Sequence, residues 1–170
     1  GNTNVTAIGP VDAPKVKLGG GGGGCNLAAT VGTLTLWTTR HRSGRALVER
    51  CDFVTDFGHA TAEGTRDQLG FPGGGPEWLV TELGIFDFPG GRARLRFVYP
   101  DVAVKEVKAA TRFELTAGRV ETLRPPDPLA VALVRTIDPL GIRRREFSEP
   151  ELARRFRWAD DDDASCASCL

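Results

Sequence analysis

Polar and apolar residues alternate over Thr33 to Thr39 (TLTLWTT), with Leu34 and Leu36 on one face. That period of two predicts a half-buried strand. Ala46 to Thr55 (ALVERCDFVT) is rich in strand-forming residues and is expected to extend likewise. Two short apolar runs, Trp78 to Thr81 and Ile85 to Phe88, flank Glu82-Leu83-Gly84, and Pro89-Gly90-Gly91 then turns the chain into the alternating run Ala93 to Tyr99. This reads as a meander of hairpins. The start of the chain, Asn2 to Ile8 (NTNVTAI), places β-branched residues at alternate positions, and Val16 to Leu18 follows. The polar stretch His59 to Gln68 reads as loop.

The helical period appears later. Val104 to Thr111 has helical composition. Asp127-Pro128 is a helix start, with an acceptor at the cap and proline at the first helical position. Leu129, Leu133 and Ile137 then fall on one face, and Pro139 and Gly141 end the pattern. Ser148 to Trp158 is expected to form a last short helix, and Asp160 to Leu170 a disordered acidic tail. Strands early and helices late predict an α/β domain built on a mixed sheet.

Composition narrows the function. Lysine plus arginine (22) equals aspartate plus glutamate (22), which argues against a dedicated nucleic-acid binder. Apolar runs are a few residues long, so no membrane span is expected. No leader pattern is read at the start either. Cys25, Cys51, Cys166 and Cys169 are too few and too scattered for a disulfide framework, so a reducing, cytoplasmic setting is expected. Cys166 and Cys169 have metal-ligand spacing but no second ligand pair, and no metal is expected. The chain begins at Gly1 and contains no methionine, which leads to the expectation of a fragment whose N-terminal part is missing.

Two glycine clusters remain to be explained. Lys17 to Thr30 reads KLGGGGGGCNLAAT, and Phe71 to Pro76 reads FPGGGP. The first lacks the Gly-Lys-Ser/Thr ending of a Walker loop. Its flanks are structured rather than linker-like, so it reads as strand, open glycine turn and short helix. Such a turn aims backbone N–H groups into one space, which suits an oxyanion or phosphate. A tight turn with no ligand fits the same residues. For the second cluster, and for arginines 143–145, 154, 155 and 157, a structural turn and a solvated face are the expected roles. His41 and His59 have no obvious serine or cysteine partner and receive no catalytic role.

Several segments taken in order resemble one family. Gly1 to Gly9 (GNTNVTAIG) resembles the GN-x-N-x-T-x-IG segment of glutaconate CoA-transferase β subunits. Gly20 to Ala28 (GGGGGCNLA) is similar to that family's GSGGACDIA loop, and Val48 to Gly58 (VERCDFVTDFG) to its VEKVDYITSPG. Gly70 to Phe88 (GFPGGGPEWLVTELGIFDF) resembles GLPGGGPxxVVTDLGVFxF almost throughout. Tyr99 to Leu115 and Asp138 to Gly141 (DPLG) also have counterparts there.

The resemblance implies an α/β fold with an open mixed sheet of the class I CoA-transferase type, carrying appended β-hairpins and C-terminal helices. It implies a CoA-transferase domain over 1–145, its N-terminal part missing; the helix and disordered acidic tail read above make up 146–170. It further implies an α-subunit partner in a heterodimer or heterotetramer, with acyl-CoA and carboxylate substrates. The CoA thioester is substrate, and no permanently bound cofactor is implied. In this family a β-subunit glutamate attacks the acyl-CoA carbonyl and later carries CoA as a thioester. That glutamate lies upstream of the GN-x-N segment, so no glutamate of this chain is given its role. The residues implied for the CoA and oxyanion loop are Gly20, Gly22, Gly23, Gly24, Cys25 and Asn26, with Gly22 to Gly24 the candidate amide donors. Asn2 and Asn4 are candidates either for contact with substrate or for fixing the neighbouring turn. Departures at Gly24, Asn26, Asp101 and residues 109–112 leave the substrate open. They also keep two alternatives: hydrolysis or ring cleavage of a CoA thioester on the same fold, and a non-catalytic subunit that binds CoA or a partner.

Overall fold

The structure is a computed structural model that describes residues 1–147. The expected helix over 148–158 and tail over 160–170 lie outside the described residues. In chain order the first elements are β1 (Ala7–Ile8), β2 (Val16–Lys17), α1 (Gly24–Thr30), β3 (Leu34–Thr38), β4 (Ala60–Thr61), β5 (Gly64–Thr65) and α2 (Arg66–Leu69). There follow β6 (Pro76–Thr81), β7 (Gly84–Asp87), β8 (Arg94–Val98), α3 (Val104–Ala110), β9 (Thr116–Thr122) and α4 (Pro128–Ile137). The chain divides into two compact units, Gly1–Arg124 and one beginning at Pro125.

The first unit is built on a five-stranded mixed sheet in the order β3-β6-β7-β8-β9. The expected meander is its centre: β6, β7 and β8 pair antiparallel. Thr81 closes the β6–β7 turn, its Oγ accepting from the N–H groups of Leu83 and Gly84, each at 3.1 Å. The outer pairs, β3–β6 and β8–β9, run parallel. This is the open mixed α/β sheet expected above. β3 shows the expected alternation, with Leu34 and Leu36 half-buried and Thr35 and Trp37 exposed.

Behind the sheet, Phe86, Leu95 and Leu83 form a fully buried core with Val107 and Ala110 of α3. His41 is also fully buried; its ring nitrogens lie 3.1 and 3.0 Å from the hydroxyls of Thr81 and Thr111. It ties the turn after β3 to the sheet and to the end of α3. Burial, and then the Arg42 charge beside it, lower its pKa from 6.5 to about 4, so it stays neutral. Its role is structural.

Three expectations are corrected. Ala46 to Thr55 forms no strand. Its polar groups serve the N-terminal segment instead: Asp52 accepts from Gly9 N–H at 2.8 Å, and Thr55 Oγ from Val5 N–H at 3.0 Å. The loop expected over His59 to Gln68 contains the β4–β5 hairpin and the first three residues of α2. A capping box between Thr65 and Gln68 starts α2. The strand β9 was not expected at all.

In the second unit, α4 starts as expected: the Asp127 side chain accepts from Leu129 N–H at 2.8 Å, with Pro128 in the first turn. On its apolar face Leu129, Leu133 and Ile137 are exposed.

Candidate functional site

Five of the six glycines, Gly20 to Gly24, do four different things. Gly20 has a φ of +86° and donates its N–H to Val5 O at 2.7 Å, anchoring the turn to the N-terminal segment. Gly21 and Gly24 are glycine for space. A Cβ on Gly21 would lie 2.8 Å from Thr55 Cγ2, and one on Gly24 2.9 Å from Asp56 Oδ1. Gly24 N–H is already taken by Gly21 O at 2.7 Å. Gly22 needs glycine for its φ of +53°.

Gly23 is different. Its φ is −84°, which any residue adopts, and a Cβ there would meet nothing within 4 Å. It occupies the N-cap of α1, where serine, asparagine or aspartate would serve the helix better. Neither φ nor space requires glycine at 23, although glycine caps a helix better than alanine does. A molecule that must reach the backbone is a further reason for it. Gly22 and Gly23 N–H have no backbone partner among the described residues, and both residues are exposed. Of the three candidate amide donors Gly22 to Gly24, these two present open amides. Gly20 and Gly24 frame them. Cys25 and Asn26 follow on α1, both exposed.

The two asparagines lie elsewhere and are engaged. Asn2 Oδ1 accepts from Gly58 N–H at 2.7 Å, and its Nδ2 donates to Ala60 O at 2.8 Å. Asn4 Oδ1 accepts from the N–H groups of Thr6 and Ala7, and Nδ2 donates to Ala7 O at 2.6 Å. Both fix turns.

Three side chains near the loops were given no role by sequence. Asp56 accepts a hydrogen bond from Thr3 Oγ through Oδ2, while its Oδ1 faces the glycine turn, buried and with no hydrogen bond. His59 holds Pro76 O at 2.8 Å through Nε2 and stacks near Phe88. Burial lowers its pKa. Arg66 is buried among backbone carbonyls of both glycine regions. A cleft of about 880 Å3 is bordered by Asn2, His59, Arg66, Gly73, Gly91 and Arg92, and the first glycine run is not part of its wall. Among the described residues no cluster of His, Cys, Asp and Glu could hold a metal, and no helix is long and apolar enough to cross a membrane.

An open mixed sheet with a glycine turn entering a short helix, followed by a second glycine loop, defines the class I CoA-transferase type of fold. Within that class the chain falls with the β subunits. It is 35% identical to the β subunit of glutaconate CoA-transferase from Acidaminococcus fermentans, over 82% of this chain and 53% of the relative. The crystal structure of that transferase superposes with a TM-score of 0.66, covering 79% of this chain and 52% of the matched one. The chain is also similar to the cholesterol ring-cleaving hydrolase IpdB subunit of Rhodococcus jostii, at 29% identity over 87% of this chain and 58% of the relative. The crystal structure of Rhodococcus jostii IpdAB matches with a TM-score of 0.71 and 27% identity, covering 87% of this chain and 60% of that chain. The decarboxylase AibA/AibB matches with a TM-score of 0.66 at 26% identity, over 86% of this chain and 55% of that chain. No protein-family model matches. The chain spans about half the length of the curated relatives it matches.

Proposed function

We propose that this chain is part of a β subunit that, with an α-type partner, moves CoA between carboxylic acids. Acyl-CoA and free carboxylate are the substrates, and CoA is carried through rather than retained. The observation that carries this reading is Gly23, a glycine that neither φ nor space requires, in a chain of the CoA-transferase β-subunit type. In the proposed reaction a carboxylate oxygen attacks the thioester carbonyl, whose oxygen takes up negative charge. The C–S bond then breaks, and the CoA thiolate that leaves attacks the other carbonyl of the anhydride formed, releasing the first acid as its carboxylate. Gly22 and Gly23 N–H donate to the oxygen of the thioester carbonyl. Preorganised donors of this kind contribute about 3–4 kcal/mol each to the transition state. A Cβ at 23 would stand between the carbonyl and the amides. The attacking glutamate is assigned outside this chain, so the chain alone is expected to be inactive.

A second reading is favoured by the TM-score of 0.71 to IpdAB, the higher of the structural matches described. On that reading water or a neighbouring group, rather than an acceptor carboxylate, takes the acyl portion. One experiment separates the two. The complete β subunit, assembled with its partner, is given acetyl-CoA with and without glutaconate. Formation of a new CoA ester only when glutaconate is present supports transfer. Free thiol released at the same rate without an acceptor overturns it in favour of hydrolysis.

A further inference from the structure

We propose that Arg66 is a positioning residue that locks the two glycine loops together and binds no substrate anion. Arg66 begins α2 and is buried. Its Nε donates to Gly73 O at 2.6 Å, in the second glycine cluster. Nη1 donates to Gly58 O at 2.7 Å and Phe57 O at 3.3 Å. Nη2 donates to Ala28 O at 2.8 Å and Ala29 O at 2.9 Å, in the last turn of α1. A guanidinium has five N–H donors. All five are directed at carbonyls, so none is left for a phosphate or carboxylate, although Arg66 borders the cleft.

The buried charge is met by carbonyl dipoles rather than a carboxylate. Those of Ala28 and Ala29 belong to the negative end of α1. The rings of Phe57 and Phe71 lie 5.9 and 5.5 Å from the guanidinium carbon and add cation–π contacts. The neighbouring glycines leave room for it. A Cβ on Gly73 would come 2.5 Å from Val31 O and 3.1 Å from Arg66 Nη2. A Cβ on Gly75 would come 3.1 Å from Arg66 Cδ. Gly73 N–H also donates to Ala29 O at 3.1 Å. The last turn of α1 is therefore fixed to the FPGGGP loop, and Gly22 and Gly23 lead into its first turn. Lysine keeps the charge but cannot reproduce a planar fork aimed at three loops.

The test compares Arg66→Lys with the parent chain by amide hydrogen exchange. Exchange over residues 27–31, whose amides are hydrogen-bonded in α1 and at its end, should quicken about tenfold or more, with amides of β7 and β8 changed little. Uniform quickening along the chain, or none over 27–31, overturns the proposal. Thr65→Ala is the milder variant should Arg66→Lys fail to fold. It loosens the cap that seats Arg66 but leaves the guanidinium. The same residues should quicken less, and quickening confined to α2 would overturn the proposal. CoA itself is the second probe, which rests on the function proposed above. Its affinity for the assembled complex should change less than about twofold in Arg66→Lys. A tenfold loss would show that Arg66 binds the anion. If the parent complex binds no CoA, the proposed function fails, and the exchange result still judges the role of Arg66.

Discussion

Replacing Gly23 by alanine adds one methyl group where nothing of this chain lies within 4 Å and the φ of −84° already suits an L-residue. Two small effects on stability then oppose each other. A glycine-to-alanine change at a compatible φ stabilises by about 0.4–1 kcal/mol through the unfolded chain. Alanine is the poorer N-cap by a comparable amount, roughly 0.5–1 kcal/mol. The net change in Tm is therefore close to zero. Turnover is a different matter. If the acyl carbonyl approaches Gly22 and Gly23 N–H, the methyl group displaces it, and loss of one such donor lowers kcat by about 10²–10³. Gly74 is the matched control, because a Cβ there would sit 2.9 Å from Gly32 O with no room to give. Overpacking costs about 1–3 kcal/mol, and at about 2–4 °C per kcal/mol that lowers Tm by roughly 2–12 °C. The assay measures kcat per folded molecule for the assembled complex and Tm for each variant. Gly23→Ala should lose activity and keep Tm, and Gly74→Ala should lose Tm. Gly23→Ala with undiminished kcat would refute the approach of the carbonyl to these amides.

Three further outcomes are expected. The unfolded chain protonates His41 below about pH 6.5, whereas the folded chain resists until about 4. Its contribution is thus full above that window and lost as pH falls through it; in His41→Gln, Tm should fall less steeply between those pH values. His59, whose pKa is lowered in the same direction, retains part of the slope. Gly84→Ala puts a Cβ 2.4 Å from Phe97 O across the β7–β8 pair. It should cost about 3 kcal/mol or more, visible as a large drop in Tm or as insoluble protein. Replacing Leu133 and Ile137 together by lysine removes two of the exposed apolar residues of α4. Sedimentation velocity should show less self-association, with Tm unchanged.

Where a segment's own pattern met its own neighbours, the sequence was legible. β3 alternates because one of its faces is covered, and the meander carries its turns as Gly84 and Pro89-Gly90-Gly91. The α4 cap is local chemistry between Asp127 and Leu129. Ala46 to Thr55 misled because its strand-forming residues have their polar groups engaged by a segment some 50 residues away, as the Val5–Thr55 bond shows. β9 contains Gly118 and few apolar residues, so only its partner β8 makes it a strand. Within the candidate site, the glycine run was visible but its division of labour was not. Which glycine needs space, which needs a positive φ and which needs neither depends on Thr55 and Asp56, remote in sequence. Arg66 in a polar stretch looks like any surface arginine; only the five carbonyls around it distinguish it.

The parallel pairing of β3 with β6 bears on the order in which the molecule is assembled. Leu36 pairs with Leu79, and Arg66 reaches Ala28 across 38 residues of chain. Such long closures slow folding, whereas the β6–β7–β8 meander needs only short ones. During synthesis the glycine turn therefore emerges before the elements that set it. It waits until Arg66, the second glycine loop and β6 have left the ribosome. Until then the segment most tolerant of any conformation is also the one with the least to hold it. Chaperone dependence should consequently track delays in translation between α1 and β6, and a pause placed there should lower the yield of active protein more than one placed after β9.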